Sequence, residues 1–198
     1  MEGRDTVGED GANAEPGGGR CAYQGAPGAF SHEACTDLRP WDEAVPYESF
    51  DAAIGALKAG DVGCALIPVE NSTIGRIEPA ATLVEGANLT VVSEVWRPIR
   101  LALMAPAGAS LRTVKTAESH PVALRQCPAS LAALGITPVE AFDTAGAARA
   151  VAEAGDASRA AVAPVRAAEV YGLSILRNDI QDSEDNRTRF VLLSTSTA

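Results

Sequence analysis

Positive charge is scarce in this sequence. Its 198 residues carry 16 lysine and arginine side chains against 26 aspartate and glutamate side chains, which gives a formal net charge of -10. A surface of this sign repels phosphate backbones and anionic lipids, so we expect neither nucleic acid nor a membrane as a partner. No apolar run approaches the roughly 18 residues that indicate a membrane-spanning helix.

Metal-binding side chains are also few. The two histidines, His32 and His120, lie far apart in the sequence, and the four cysteines form no CxxC pair. A zinc site is therefore not expected, and we predict neither a metal nor a cofactor. With no secretory signal in view, the cysteines are typical of reduced core residues in a cytoplasmic protein.

Large apolar side chains are almost missing from residues 1–20, which are rich in glycine and acidic groups. Such a segment cannot offset the entropy lost on ordering, so we predict a disordered N-terminal tail over 1–20. Across the whole chain 46% of residues are hydrophobic, enough to build a sizeable core. Residues 21–198 are therefore predicted to fold.

The folded part shows short apolar runs that alternate with helical patterns. This alternation favours an α/β architecture with largely parallel strands. The run VGCALIPV, residues 62–69, is nearly continuous, as is typical of a strand covered on both faces. Helices are predicted after Ser49, over 121–134 and over 144–154, and the run RFVLLS is predicted to form the last strand.

Small or polar residues cluster where predicted strands end. Open α/β sheets bind ligands at such places, because the carboxyl ends of parallel strands share one edge of the sheet. Four segments carry this pattern: YQGAPGAFS at 23–31, PVENSTIG at 68–75, ESHPVALRQC at 118–127 and NRTRFVLL at 186–193.

Two of these segments allow a geometric prediction. Ser119 is expected to cap a helix that begins near Pro121, and Gln126 follows seven residues later, two helical turns on, so both side chains would share a face. In NRTRFVLL, strand alternation predicts Thr188 and Phe190 on one face and Arg187 and Arg189 on the other. The alternation does not decide which pair faces a cleft.

Together with DTAGAA at 143–148 and RAAEVYGL at 166–173, these segments resemble, in order, the motif set of the prephenate dehydratase and arogenate dehydratase family. The resemblance implies a two-lobed α/β fold similar to type II periplasmic binding proteins, with the active site in the cleft between the lobes. It makes residues 21–198 the catalytic domain. Lobe 1 would comprise about 21–98 plus 179–198, and lobe 2 about 99–178.

The reaction that the resemblance implies is the decarboxylating dehydration of prephenate to phenylpyruvate in L-phenylalanine biosynthesis, the work of a carbon-oxygen lyase. The ring becomes aromatic as both groups leave, so the driving force lies in the substrate. An alternative is arogenate dehydratase, which gives phenylalanine directly. A non-catalytic ligand-binding module is a further alternative, against which the intact Thr188-Arg189-Phe190 argues, since binding alone needs no leaving-group donor.

The resemblance also implies roles for individual residues. Thr188 would donate to the leaving hydroxyl group, and Arg189 would pair with a substrate carboxylate. The substrate-binding residues it implies are Asn71, Ser72, Ser119, Gln126 and Phe190, with Gly28, Ala29 and Phe30 in a loop that closes over the ligand and Glu70 as a candidate partner for the ammonium group of arogenate.

Many family members carry a phenylalanine-binding ACT domain after the catalytic region, whereas this sequence ends a few residues beyond the Thr188-Arg189-Phe190 strand. The expectation is therefore either an enzyme without this regulation in cis or a fragment of a longer protein. Because family members commonly assemble, a homo-oligomer is also expected.

Overall fold

Strands and helices alternate through residues 18–195, the part of the chain that the computed structural model describes. The strands are β1 (Arg20–Gln24), β2 (Glu43–Tyr47), β3 (Cys64–Asn71), β4 (Gly75–Arg76), β5 (Thr90–Pro98), β6 (Ala102–Ala105), β7 (Thr116–Ser119), β8 (Thr137–Glu140), β9 (Arg159–Ala163), β10 (Ser174–Arg177) and β11 (Arg187–Ser194). The helices are α1 (Phe30–Leu38), α2 (Phe50–Ala59), α3 (Ala80–Gly86), α4 (Pro121–Leu124), α5 (Pro128–Ala133), α6 (Thr144–Ala154) and α7 (Val165–Tyr171). None of the helices described is long and apolar enough to cross a membrane.

Two sheets form the centres of two lobes. The first has the order β2-β1-β3-β11-β5, with β4 paired to β3, and the second has the order β10-β6-β9-β7-β8. The chain passes from the first sheet to the second after β5 and returns before β11. The predicted two-lobed α/β fold, similar to type II periplasmic binding proteins, is confirmed.

The prediction of largely parallel strands is wrong: three of the five pairings in the first sheet and two of the four in the second are antiparallel. β1 is parallel to both neighbours, β2 and β3, and β7 is parallel to β8 and β9. β11, however, returns from the second sheet and inserts between β3 and β5 antiparallel to both. β6 is likewise antiparallel to β9 and to β10, a strand that was not predicted.

Apolar side chains cover both faces of each sheet. On the first sheet, Leu66 and Phe190 pack under α1, whereas Ile67 and Val191 pack on the opposite face under α2 and α3. The second sheet is covered in the same way. All four cysteines are buried and free, as predicted.

Local sequence signals mark several helix ends. Ser49 caps α2, since its side chain accepts a hydrogen bond from the Ala52 N–H, and Gly60 ends the helix in a left-handed conformation. The predicted helix over 121–134 is instead two helices, α4 and α5. Pro128 has no N–H to donate and disfavours a helical conformation at Cys127, so the helix breaks there.

Of the predicted tail, residues 1–17 lie outside the described residues. Arg20 is the first residue of β1, so the first strand begins just before the predicted start of the folded part.

Candidate active site

A cavity of about 250 Å³ lies between the two lobes. Its lining comes from both sheets and from the segments that connect them: Phe30, Asn71, Ile74, Ile99, Leu101, His120, Val122, Ala123, Gln126, Asp143, Thr144, Asn186 and Thr188. A larger space of about 750 Å³ adjoins it and shares Phe30, Asp143 and Thr144 with it. The two cavities together form one cleft.

A β-bulge turns Asn71 toward this cleft. In the pairing of β3 with β11, Asn71 lies opposite Thr188 and Glu70 opposite Arg189, but Pro68 lies opposite Phe190. Val69 is therefore an extra residue, and the strand alternation shifts at that point. Without the shift, Asn71 would project from the same face as Val69 rather than toward Thr188.

The Asn71 side chain is held in one orientation. Its Oδ1 accepts hydrogen bonds from the backbone N–H groups of Thr73, at 2.9 Å, and Ile74, at 3.1 Å. Because a backbone N–H group can only donate, the oxygen must lie on this side, and Nδ2 must face the cleft. Nδ2 donates to Thr188 Oγ1 at 2.9 Å and to Asn186 Oδ1 at 2.7 Å.

The bond from Asn71 restricts where the hydroxyl proton of Thr188 can point. Since Oγ1 accepts a hydrogen bond from Asn71, its own proton must point elsewhere. Within residues 18–195 no side chain or carbonyl group accepts that proton. Thr188 is 6% exposed and lines the cavity, so its hydroxyl group is a donor directed at whatever occupies the cleft.

The amide chain extends into the second lobe. Asn186 Nδ2 donates to Gln126 Oε1 at 2.6 Å, and Gln126 Nε2 donates to the Val122 carbonyl group at 3.2 Å. A backbone carbonyl group can only accept, so the far end of the chain agrees with the orientation set at Asn71. Neutral amides therefore line one wall of the cavity.

The cavity is short of positive charge. Of the described residues that line it, none is lysine or arginine, and Asp143 is the acidic one. His120 caps α4, since its Nδ1 accepts a hydrogen bond from the Val122 N–H. No cluster of three or more His, Cys, Asp or Glu side chains suited to a metal ion occurs in residues 18–195.

The loop before α1 reaches across to the second lobe. Gly28 is buried against α7 with a φ of +90°, and Tyr171 Oη donates to the Pro27 carbonyl group at 2.7 Å. The Gly28 N–H group donates to His32 Nδ1 at 2.9 Å. Burial and the nearby Arg166 lower the pKa of His32, so the neutral ring can accept this bond.

Several predicted site residues therefore lie in the cleft. Thr188, Asn71, Gln126 and Phe30 line the smaller cavity, and Ala29 lines the adjoining space with Phe30. Gly28 lies behind them, at the contact with α7.

The resemblance implied Arg189 and Glu70 as site residues, and the structure corrects their position: both lie outside the cleft. They project from the opposite face of the sheet, where Arg189 pairs with Glu70 and with Glu94, each at 3.0 Å. The predicted alternation of Thr188 and Phe190 against Arg187 and Arg189 holds, and the cleft lies on the Thr188 side. Neither Arg189 nor Glu70 contacts the cleft, because the sheet lies between.

Three further residues do not line the cleft either. Phe190 is 2% exposed in the core beneath α1. Ser119 ends β7 instead of capping a helix, and its Oγ donates to the Val162 carbonyl group at 2.6 Å. Ser72 joins the return segment by donating to the Asp185 carbonyl group and accepting from the Arg187 N–H group.

Asn186 is the main site residue that sequence reasoning missed. A signal was present, because Asn186 and Thr188 are two residues apart and strand alternation places such residues on one face. His120, Asp143 and Thr144 also line the cleft, at the strand ends where a ligand was expected.

Residues 21–198 match the family model described as prephenate dehydratase. The chain is 42% identical over 175 residues to arogenate dehydratase/prephenate dehydratase 2 of Arabidopsis thaliana, a match that covers 88% of this chain and 46% of that one. The chain thus spans less than half the length of this curated relative.

Two solved structures share the fold. One, described as the quorum-quenching acylase GqqA, superposes with a TM-score of 0.84 and 37% identity over 90% of this chain and 65% of the other. The other is prephenate dehydratase from Arthrobacter aurescens in complex with L-Phe, with a TM-score of 0.80 and 28% identity over 90% of this chain and 61% of that one.

Gly28→Ala should loosen the loop from α7. An added Cβ would lie 2.8 Å from Ala167 Cα, and alanine is strained at this φ, so we expect a loss of about 1–3 kcal/mol in the free energy of unfolding. Gly55→Ala, in the middle of α2 with open space around its Cβ, is the control and should stabilise the protein by roughly 0.5–1 kcal/mol. Urea denaturation measures both; equal effects would contradict the close contact.

Arg189→Gln tests the orientation of β11. Removing the guanidinium group leaves Glu70 and Glu94 unpaired on the outer face, which should cost about 1 kcal/mol of stability. The affinity for a ligand in the cleft should stay within about twofold, as expected for a residue without ligand contact. Arg187→Gln is the matched control. A tenfold weaker affinity for Arg189→Gln alone would place Arg189 in the site after all.

Proposed function

This chain belongs to the prephenate dehydratase family, and from that premise we propose that it converts prephenate to phenylpyruvate, carbon dioxide and water. The observation that carries the proposal is the Thr188 hydroxyl group, whose oxygen accepts from Asn71 and whose proton is left for the ligand. A fixed donor of this kind is what a departing hydroxyl group requires.

The reaction needs two bonds to break across one ring. The bond from the ring to its carboxylate breaks, and the electron pair moves into the ring as carbon dioxide leaves. The bond from the opposite ring carbon to its hydroxyl oxygen then breaks with its electron pair, and the ring becomes aromatic. Thr188 Oγ1 donates a hydrogen bond to that oxygen as it gains negative charge, and the released hydroxide becomes water by taking a proton from the solvent.

The lack of positive charge in the smaller cavity suits the loss of carbon dioxide. A carboxylate among neutral groups is less well stabilised than in water, whereas the carbon dioxide that leaves carries no charge. The lining of neutral amides and of Ile99 and Leu101 supports this role. The ring itself would lie against Phe30 and these two aliphatic side chains.

The side chain of the substrate would extend into the adjoining space. Arg149 is the cation among the described residues there; its exposed guanidinium group lies 3.8 Å from Glu153, and a substrate carboxylate would compete with this exposed pair. The same space is also lined by the acidic residues Glu48 and Asp143. These favour a second candidate, arogenate, whose side chain carries an ammonium group beside its carboxylate; Glu70, on the far face of the sheet, does not supply that partner.

Turnover of prephenate and arogenate, measured side by side with the purified protein, tests the proposed function. Prephenate should give phenylpyruvate, and the acidic residues predict that arogenate is also accepted and gives phenylalanine. Activity on arogenate alone would replace the first candidate by the second. Binding of either compound without turnover would support the non-catalytic alternative.

A cytoplasmic location and a homo-oligomer stay predictions.

Thr188→Val tests the donor. Valine keeps the shape but removes the hydroxyl group, so kcat should fall by about 10²–10³, the effect of losing one preorganised donor. Thr188→Ser keeps the hydroxyl group and is the matched control, with kcat within about tenfold of the unaltered protein. Steady-state kinetics measure both. A Thr188→Val variant as active as Thr188→Ser would refute the role of the hydroxyl group.

A further inference from the structure

We infer that Asn186 is a positioning residue that makes the Thr188 donor dependent on closure of the cleft. The inference rests on the proposed function of Thr188. Its basis is the place of Asn186 in the amide chain. In the first lobe its Oδ1 accepts from Asn71, which also donates to Thr188, and its Nδ2 donates to Gln126 in the second lobe.

Asn186 lies where the two crossing segments meet. The backbone carbonyl group of Asn186 accepts a hydrogen bond from the Ile99 N–H group at 2.8 Å. Ile99 belongs to the outward crossing between β5 and β6. On the return segment, the Asp182 N–H group donates to the Gln126 carbonyl group at 2.7 Å. Asn186 as a residue is 6% exposed, so water does not readily replace its partners.

The bonds on the two sides of Asn186 differ in what they join. On the first-lobe side Asn186 accepts from Asn71. Asn186 lies directly before β11 and two residues from Thr188, which pairs with Asn71 across the ladder, so the sheet holds this separation. Gln126 follows α4 in the second lobe, so its 2.6 Å bond to Asn186 depends on how the lobes lie against each other. Opening of the cleft therefore breaks this bond first.

Loss of the bond to Gln126 frees the Asn186 amide to turn. Its oxygen then no longer has to face Asn71, and one Asn71 N–H loses its fixed acceptor. Asn71 still donates to Thr188 Oγ1, but the Asn71 side chain is then held less firmly. Asn186 thus acts through Asn71 on the direction of the Thr188 proton and contacts the reacting atoms only through them.

A double-mutant cycle between Asn186→Ala and Thr188→Val tests this dependence. Alone, Asn186→Ala should lower kcat by about tenfold while KM changes less, because it loosens a group that acts in the transition state. In the Thr188→Val background it should lower kcat no further, since its effect passes through the hydroxyl group that is already gone. A merely structural role would give independent, additive losses and would overturn the inference.

Ser183→Ala is the matched control on the same return segment. Its Oγ accepts a weak 3.3 Å bond from the Asp185 N–H group on the exposed side, away from the cleft, and its kcat should be unchanged. If Asn186→Ala does not fold, Gln126→Ala removes the same bond from its other end, and the cycle with Thr188→Val is run with that variant. Additivity there would again overturn the inference.

A readout without turnover separates this inference from the proposed function. Removal of the Asn186 side chain should speed hydrogen exchange at the Thr73 and Ile74 N–H groups, which bind Asn71 Oδ1, by about tenfold or more. Unchanged exchange at both would overturn the inference even in an active enzyme. Faster exchange in a protein that turns over neither prephenate nor arogenate would instead leave the link standing and refute the proposed function.

Discussion

Two backbone N–H groups, those of Thr73 and Ile74, point at one oxygen atom, Oδ1 of Asn71, and the chemistry of the cleft follows from that contact. They force the Asn71 amide nitrogen toward Asn186 and Thr188, so all four hydrogen-bonding positions of this side chain are filled. A saturated, buried amide has no alternative orientation of similar energy. Thr188 consequently meets a ligand as a donor.

The first sheet separates the cavity wall of neutral amides from the guanidinium group of Arg189. Arg189 is adjacent to Thr188 in sequence, but strand alternation sends its side chain to the outer face, between Glu70 and Glu94. There it pairs with two of the acidic groups, which outnumber the basic ones 26 to 16. A strand through the centre of the sheet can therefore carry a positively charged residue and still present no positive charge to the cavity beside it.

Much of this arrangement could be predicted from the sequence, because the signals are local. Ser49 and Gly60 mark the ends of α2, and a period of two places Thr188 and Phe190 on one face of β11. The position of the bulge at Val69 could not be predicted, since it arises from the pairing of strands more than 115 residues apart and leaves no mark in the run VGCALIPV. Without the bulge, neither the direction of Asn71 nor the side on which the cleft opens can be deduced. The prediction that Ser119 caps a helix is wrong for a related reason, because the partner of its hydroxyl group, the Val162 carbonyl group, belongs to a distant strand.

The return of the chain as β11 explains why these distant residues form one site. An antiparallel strand inserted between β3 and β5 brings Asn186 and Thr188 beside Asn71, and the segment before it carries Asn186 past the second lobe to Gln126. The segment that connects the lobes therefore also contains part of the site. In such a topology a change in lobe orientation must alter the hydrogen bonds of the cleft, because no independent loop carries Asn186. Closure and the orientation of the donor are coupled by the path of the chain itself.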